Sequence, residues 1–130
     1  MNKVLNALRA AGEVTRLRIL SVLRRSELTV SELVQVLDQS QPRVSRHLKL
    51  LCDAGLLQKY QEGAWVFHRI NDDGQYAGIV SGILGLIDVD DPEFSQDQVR
   101  LQKVKNSNAE RAKEYFSKNV KHVNKNGRKH

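Results

Sequence analysis

Between residues 39 and 49 the chain sets Gln39, Ser40, Gln41, Arg43, Ser45, Arg46, His47 and Lys49 around an aliphatic series. That series, Val44, Leu48 and Leu51, repeats at i, i+4 and i+7 and defines the buried face of a helix. Arg46 and Lys49 then point almost directly away from it. Arg43 and Ser45 lie on its flanks, and His47 falls nearer the buried edge. Hydroxyl, amide, guanidinium, imidazole and ammonium groups on one helix surface can hydrogen-bond base edges and clamp phosphates in a DNA groove. Any solvated helix is polar outside, so the neighbouring elements must carry part of the argument.

Stepping along the chain, Val4, Leu5 and Leu8 give residues 2–11 one apolar helical face, which Gly12 breaks. Residues 15–23 continue as a helix with Leu17, Leu20 and Leu23 on one side, Ile19 beside them, and Arg16, Arg18, Arg24 and Arg25 flanking. Thr29-Val30-Ser31-Glu32 is a capping box, in which threonine and glutamate satisfy each other's free backbone donors. It opens a short helix burying Val30, Leu33, Val34 and Leu37. A tight turn at Asp38-Gln39-Ser40 follows, and Ser40 caps the helix described above. Pro42 in its first turn costs no hydrogen bond, and Gly55 ends it.

Two strands are expected at about 56–61 and 64–70, joined at Glu62-Gly63. Trp65, Phe67 and Arg69 share one face of the second strand, and Val66, His68 and Ile70 the other. Gly63, at the tip, is a further expected DNA contact. Asn71-Asp72-Asp73 starts a helix reaching about Leu86, with an apolar band of Tyr76, Ile79, Val80, Ile83, Leu84 and Ile87. Gly74, Gly78 and Gly82 recur along it, suited equally to a second helix approaching closely or to packing within the chain.

Residues 89–94 read as an acidic linker, because Pro92 and clustered acids disfavour continued helix. Ser95 and Gln98 form a second capping box, opening a polar helix towards Lys118. Its apolar positions, Val99, Val104, Ala109, Ala112, Tyr115 and Phe116, are sparse, so it needs a partner surface. Beyond Ser117 the Lys/Asn-rich chain is expected to fray. The expected organisation is therefore a DNA-binding and dimerisation domain at 1–88, the linker at 89–94, and a basic helical extension at 95–130.

Charge follows the same division. The net charge of +6 combines eleven basic and six acidic residues up to position 70, seven acids and no base over 71–98, and ten bases against two acids thereafter. Two basic regions around an acidic one suit a polyanion partner, or form a plain solvated surface. No apolar run approaches the roughly 20 residues of a membrane span. The first residues lack the apolar stretch of a signal peptide, and the single cysteine, Cys52, fits a reducing cytoplasm. No Ser-His-Asp set, phosphate loop or carboxylate pair suggests catalysis.

Helix, short helix, turn, basic helix and hairpin, in that order, make a winged helix-turn-helix: a mostly α fold with a small β-hairpin wing. The chain resembles the ArsR family of bacterial winged-helix repressors over about residues 3–86. The likeness rests on residues 13–20, on Val30-Ser31-Glu32-Leu33, and above all on residues 40–51, which include Ser45-Arg46-His47-Leu48-Lys49. Asp53-Ala54-Gly55-Leu56-Leu57 and the wing from Glu62 to Phe67 extend it. The resemblance implies a homodimer binding double-stranded DNA at an operator dyad and leaving it when an effector is sensed. DNA contacts would then fall to Ser40, Gln41, Arg43, Ser45, Arg46, His47, Lys49 and Gly63. The first and last helices of the domain would pair protomers through Val4, Leu5, Leu8, Tyr76, Ile79, Val80, Ile83 and Ile87.

Many members of the family sense metals. Where arsenic- and cadmium-type sensors carry Cys-x-Cys, this chain has Thr29 and Ser31, hydroxyls too weak to replace thiolates. Zinc-type sensors place ligands along the last dimer helix, but residues 72–86 contain neither His nor Cys. No metal site and no cofactor is expected, and the effector is expected to be non-metal or unidentified, with a small molecule as one candidate. Cys52 is expected as a structural thiol, His68 as a packing or surface residue, and His122 and His130 as tail residues.

Glu110-Arg111-Ala112-Lys113-Glu114-Tyr115-Phe116 also resembles the linker helix of ArsR-type domains fused to S-adenosylmethionine-dependent methyltransferases, without the tryptophan usual after Tyr-Phe. A regulatory fragment of such a fusion, sensing S-adenosyl compounds, is the alternative, and a protein-docking winged helix is another. A basic helix that packs on the dimer or touches flanking DNA also accounts for the segment.

Overall fold

The computed structural model describes residues 2–88 and 90–125, with side chains through Lys113. Its elements run α1 (Asn2–Ala11), α2 (Val14–Leu23), α3 (Val30–Leu37), α4 (Gln41–Asp53), β1 (Leu57–Glu62), β2 (Trp65–Ile70), α5 (Gly74–Leu84) and α6 (Pro92–Lys125). This is the winged helix-turn-helix order.

The helix starts follow local chemistry. Glu13 caps α2, accepting from the Thr15 and Arg16 amides at 3.0 and 3.1 Å. The capping box of α3 is complete: the Thr29 amide donates to Glu32 Oε1 at 2.9 Å, and the Glu32 amide to Thr29 Oγ1 at 3.2 Å. Asp38, at φ 54°, turns the chain out of α3 through the left-handed region that aspartate tolerates. Ser40 Oγ then accepts from the Arg43 amide and opens α4. Gly55 leaves α4 at φ +85°, where a Cβ would also sit 3.0 Å from the Tyr76 ring.

β1 and β2 pair antiparallel from Leu57↔Ile70 to Glu62↔Trp65, around a two-residue loop in which Gly63 has φ +63°. Tyr60 stacks on Phe67 with ring centroids 5.5 Å apart, and the Arg69 guanidinium lies over Tyr60. Directly paired residues share a face, so Trp65, Phe67 and Arg69 form the outer side with Tyr60. His68 is buried on the other face, and its backbone makes both hydrogen bonds of a bridge to Leu28.

Ile19 and Leu20 of α2, Leu33, Val36 and Leu37 of α3, Val44, Leu48 and Leu51 of α4, and Leu56 and Leu57 form the centre of the core. Val80 and Leu84 of α5 close it on one side, Leu101 and Val104 of α6 on another. Helix α5 stops at Leu84, two residues short of the expected end, and Leu86 is exposed.

The C-terminal segment departs furthest from expectation. Helix α6 begins at Pro92, inside the stretch expected as linker. Asp91 makes this possible, because its Oδ1 accepts from the Glu93 amide and its carbonyl from the Ser95 amide, with Pro92 at the first helical position. Ser95 sits in the first turn, its hydroxyl donating to the Pro92 carbonyl. Val99, expected to face a partner, is 58% exposed; the expected Val104 is buried, joined by Asp97 and Leu101. That face lies on α2 and α3. The helix continues to Lys125, into the stretch beyond Ser117 that is expected to fray. Tyr115, Phe116 and His122 lie outside the described side chains, and His130 outside the described residues.

Candidate nucleic-acid interface

Four side chains, Val44, His47, Leu48 and Leu51, hold α4 to the body of the domain. Their spacing of i, i+3, i+4 and i+7 turns the opposite face to solvent. Ser40, Gln41, Arg43, Arg46 and Lys49 are exposed there, and Ser45 is half-buried on the flank. Arg43, Arg46 and Lys49 recur every third residue and so form one cationic row along the helix.

The row is partly organised in advance. Gln39 Oε1 accepts from Arg43 Nε at 3.0 Å, while Gln39 Nε2 donates to Thr15 Oγ1 at 3.3 Å. Gln39 thus links Arg43 to α2, a role the sequence signals only through i, i+4 spacing. Lys49 and Asp53 form an exposed i, i+4 pair at 3.1 Å, too weak to withhold the ammonium from a phosphate. Arg46 makes none of the described ion pairs or side-chain hydrogen bonds. Gly63 is exposed at the wing tip, close in sequence to Trp65 at 63% exposure.

His47 does not belong to this surface. It is 6% exposed, and Arg16 Nη1 donates to its Nδ1 at 3.1 Å. Glu13 Oε2 stands 3.6 Å from the same nitrogen. Burial lowers the His47 pKa, opposed by Glu13 and reinforced by the neighbouring arginines. The expected base contact is therefore a structural joint between α4 and the start of α2. Glu13 itself is lowered, because amide hydrogen bonds from Thr15 and Arg16 together with the nearby cations outweigh its desolvation.

The expected pairing surface divides in the same way. Val4, Leu5 and Leu8 are 46, 38 and 49% exposed, while α1 uses only Ala7, Ala10 and Ala11 to meet the core. Tyr76, Ile79 and Ile83 of α5, and Ile87 just beyond it, are half-buried against the core. Val80 is 3% exposed and belongs to the interior of its own chain, which removes it from the pairing set. A Cβ built on Gly78 or Gly82 would meet open space, so neither glycine is required by packing within the chain.

Cys52 is half-buried, and burial raises its thiol pKa, the opposite of what a reactive thiolate needs. Thr29 and Ser31 begin α3, with Thr29 committed to its cap. Among the described residues no three His, Cys, Asp or Glu side chains gather as a metal site, and no helix is long and apolar enough to cross a membrane.

A three-helix core, an outward cationic helix and a hairpin wing define a winged helix-turn-helix DNA-binding protein. The family model described as bacterial regulatory protein, arsR family, matches residues 13–59, which run from the α2 cap into β1. The chain is 37% identical over 89 residues to the arsenic resistance transcriptional regulator ArsR1 of Pseudomonas putida, covering 67% of this chain and 68% of that one. It is 46% identical over 61 residues to the arsenical resistance operon repressor of Escherichia coli, covering 46% of this chain and 52% of the other. Among solved structures, HlyU from Vibrio cholerae superposes with a TM-score of 0.59 at 30% identity, over 65% of this chain and 91% of that one. The repressor BigR from Xylella fastidiosa gives 0.60 at 26% identity, over 66% and 84%. The chain belongs to the ArsR family of bacterial regulatory proteins. It is a transcriptional regulator, in a family without enzymatic activity.

Proposed function

We propose that this protein is a homodimeric repressor in the bacterial cytoplasm that binds an operator dyad through α4 and is released by a small non-metal effector. The observation that carries the reading is the cationic row of Arg43, Arg46 and Lys49, held outward by four buried neighbours on the same helix. Ser40, Gln41 and Ser45 supply hydrogen-bonding groups beside it, and Gly63 lets the wing tip approach the duplex backbone. Exposed Val4, Leu5 and Leu8, with the half-buried apolar side of α5, support pairing of two protomers. Two-fold pairing would present two copies of α4 to a dyad.

The P. putida and E. coli relatives are named for arsenic resistance. Hydroxyls at Thr29 and Ser31, in place of the thiolates of soft-metal sensors, support an effector other than a soft metal here. The burial of Asp97, Leu101 and Val104 on α2 and α3 supports the first half of α6 as part of the regulator's own body.

Selection of DNA sequences by the purified protein, repeated across a salt series, tests the reading. The expected result is an enriched dyad whose affinity falls steeply with salt as phosphate contacts release counterions. Failure to enrich any dyad, with salt-independent binding, rules it out.

A further inference from the structure

Helix α6 does more than cover the core. With the first turns of α3 and the outer face of β2 it borders a half-open hollow of about 420 Å³, within the size range of small-molecule sites. Trp65 and Phe67, two residues apart on the same strand face, supply aromatic walls, and Val104 of α6 supplies an aliphatic one. Trp65 is 63% exposed, a large ring left to solvent beside a space that a second ring would fill.

The charges lining the hollow are not equally available. Glu32 is committed: its Oε1 accepts from the Thr29 amide at 2.9 Å, and its Oε2 from Asn108 Nδ2 at 2.6 Å. Arg111 also lines the hollow, is exposed, and makes none of the described ion pairs. Among the described residues the charge left without an ion-pair partner is thus a planar cationic fork, which matches a carboxylate in shape as well as sign.

We propose that this hollow binds a small aromatic carboxylic acid, its ring against Trp65 and Phe67 and its carboxylate at Arg111. A ring there touches α3, the wing and α6 together. The wing is tied to the α2–α3 connection through the paired backbone hydrogen bonds of Leu28 and His68, so displacing Phe67 moves a strand coupled to the helix-turn-helix. The binding site stands on its own geometry, while its role as the effector site rests on the regulator reading above.

Trp65 is the single tryptophan of the chain and reports occupancy directly. The full chain, free of DNA, is titrated with benzoate, salicylate and phenylacetate, each beside its uncharged amide, by Trp65 emission and by calorimetry. Saturable binding is expected, with each acid about tenfold tighter than its amide. Arg111→Gln, on an exposed position, should erase that preference and leave thermal unfolding unchanged. No saturable response to any of the acids, equal binding of acid and amide, or a preference that survives Arg111→Gln overturns the site. Saturable binding that leaves affinity for the selected dyad unchanged overturns the effector role alone. Loss of DNA binding under all conditions would instead count against the regulator reading, since the titration needs no DNA.

Discussion

Arg18 and Asp97 meet in a two-point ion pair, Nε to Oδ2 and Nη2 to Oδ1, each at 2.8 Å, with the aspartate 1% exposed. Arg100 adds a third donor to Oδ1 at 2.9 Å. The same two arginines reach the end of α3, Arg18 Nη2 donating to the Leu37 carbonyl and Arg100 Nε to that of Val36. The last carbonyls of a helix have no donor of their own, so α2 and α6 together complete α3 one turn before α4 begins. Asp97 in turn raises the Arg18 pKa, keeping that guanidinium charged despite its burial.

Removing the carboxylate should therefore cost far more than a surface pair. Asp97→Asn leaves two arginines facing a neutral amide, and breaking a buried pair of this kind costs about 3 kcal/mol. Urea unfolding measures it. A midpoint within error of the parent chain would show that α6 is not held by this contact.

Neighbouring positions on α4 should fail in opposite ways. Arg46→Ala is expected to weaken specific DNA binding by about 1–3 kcal/mol and to relax preference at one base pair, with thermal stability unchanged. An equal loss on every sequence would mark Arg46 as a phosphate contact. His47→Ala should instead lower stability by about 2 kcal/mol, because it empties a buried site between α4 and α2.

Pairing of protomers is tested on α1. Leu8 is 49% exposed, so Leu8→Glu places a charge where the single chain tolerates it and a protomer interface does not. Sedimentation should show a monomer with unchanged helical content. A dimer of parent affinity would move the interface away from α1.

Stability should fall on mild acidification. Burial lowers the pKa of both His47 and His68 from 6.5, the latter against a backbone hydrogen bond with Leu28. Unfolded histidines then take up protons at a pH where the folded ones do not, so stability rises with pH across that window. It is fully present above 6.5 and is lost as pH falls from there towards the lowered folded values. Urea midpoints from about pH 7.5 to about pH 5.5 should decline, and His68→Gln should flatten the slope by up to about one proton. An unchanged slope in that variant would exclude His68 as a source.

Much of this architecture could be read in advance, and for a local reason. Caps and aliphatic stripes act over three or four residues, so the Thr29–Glu32 box, the Ser40 cap and the row of Arg43, Arg46 and Lys49 follow from spacing alone. The Trp65, Phe67 and Arg69 face follows from the two-residue period of a strand, and Gly55 and Gly63 from the backbone angles they occupy. Asp91 as the cap of α6 is also local, but Pro92 and the clustered acids of residues 89–94 read as a linker more than as a helix start.

Other features depend on which element arrives from a distance. His47 lies at the border of its stripe, and its burial is decided by Glu13 and Arg16, more than thirty residues earlier. Val80 had the periodicity of a pairing residue until packing against its own core claimed it. The α6 face shows the difference most clearly, because the buried pairing of Asp97 depends on Arg18, 79 residues away. The sequence by itself determined the helix-turn-helix, its wing and the cationic row, through backbone caps and side-chain period. Tertiary structure alone decided that His47 is a joint, that α2 and α6 together complete α3, and that a hollow opens beside Trp65. Burial and charge pairing belong to surfaces brought together, and no single segment contains both halves of such a contact.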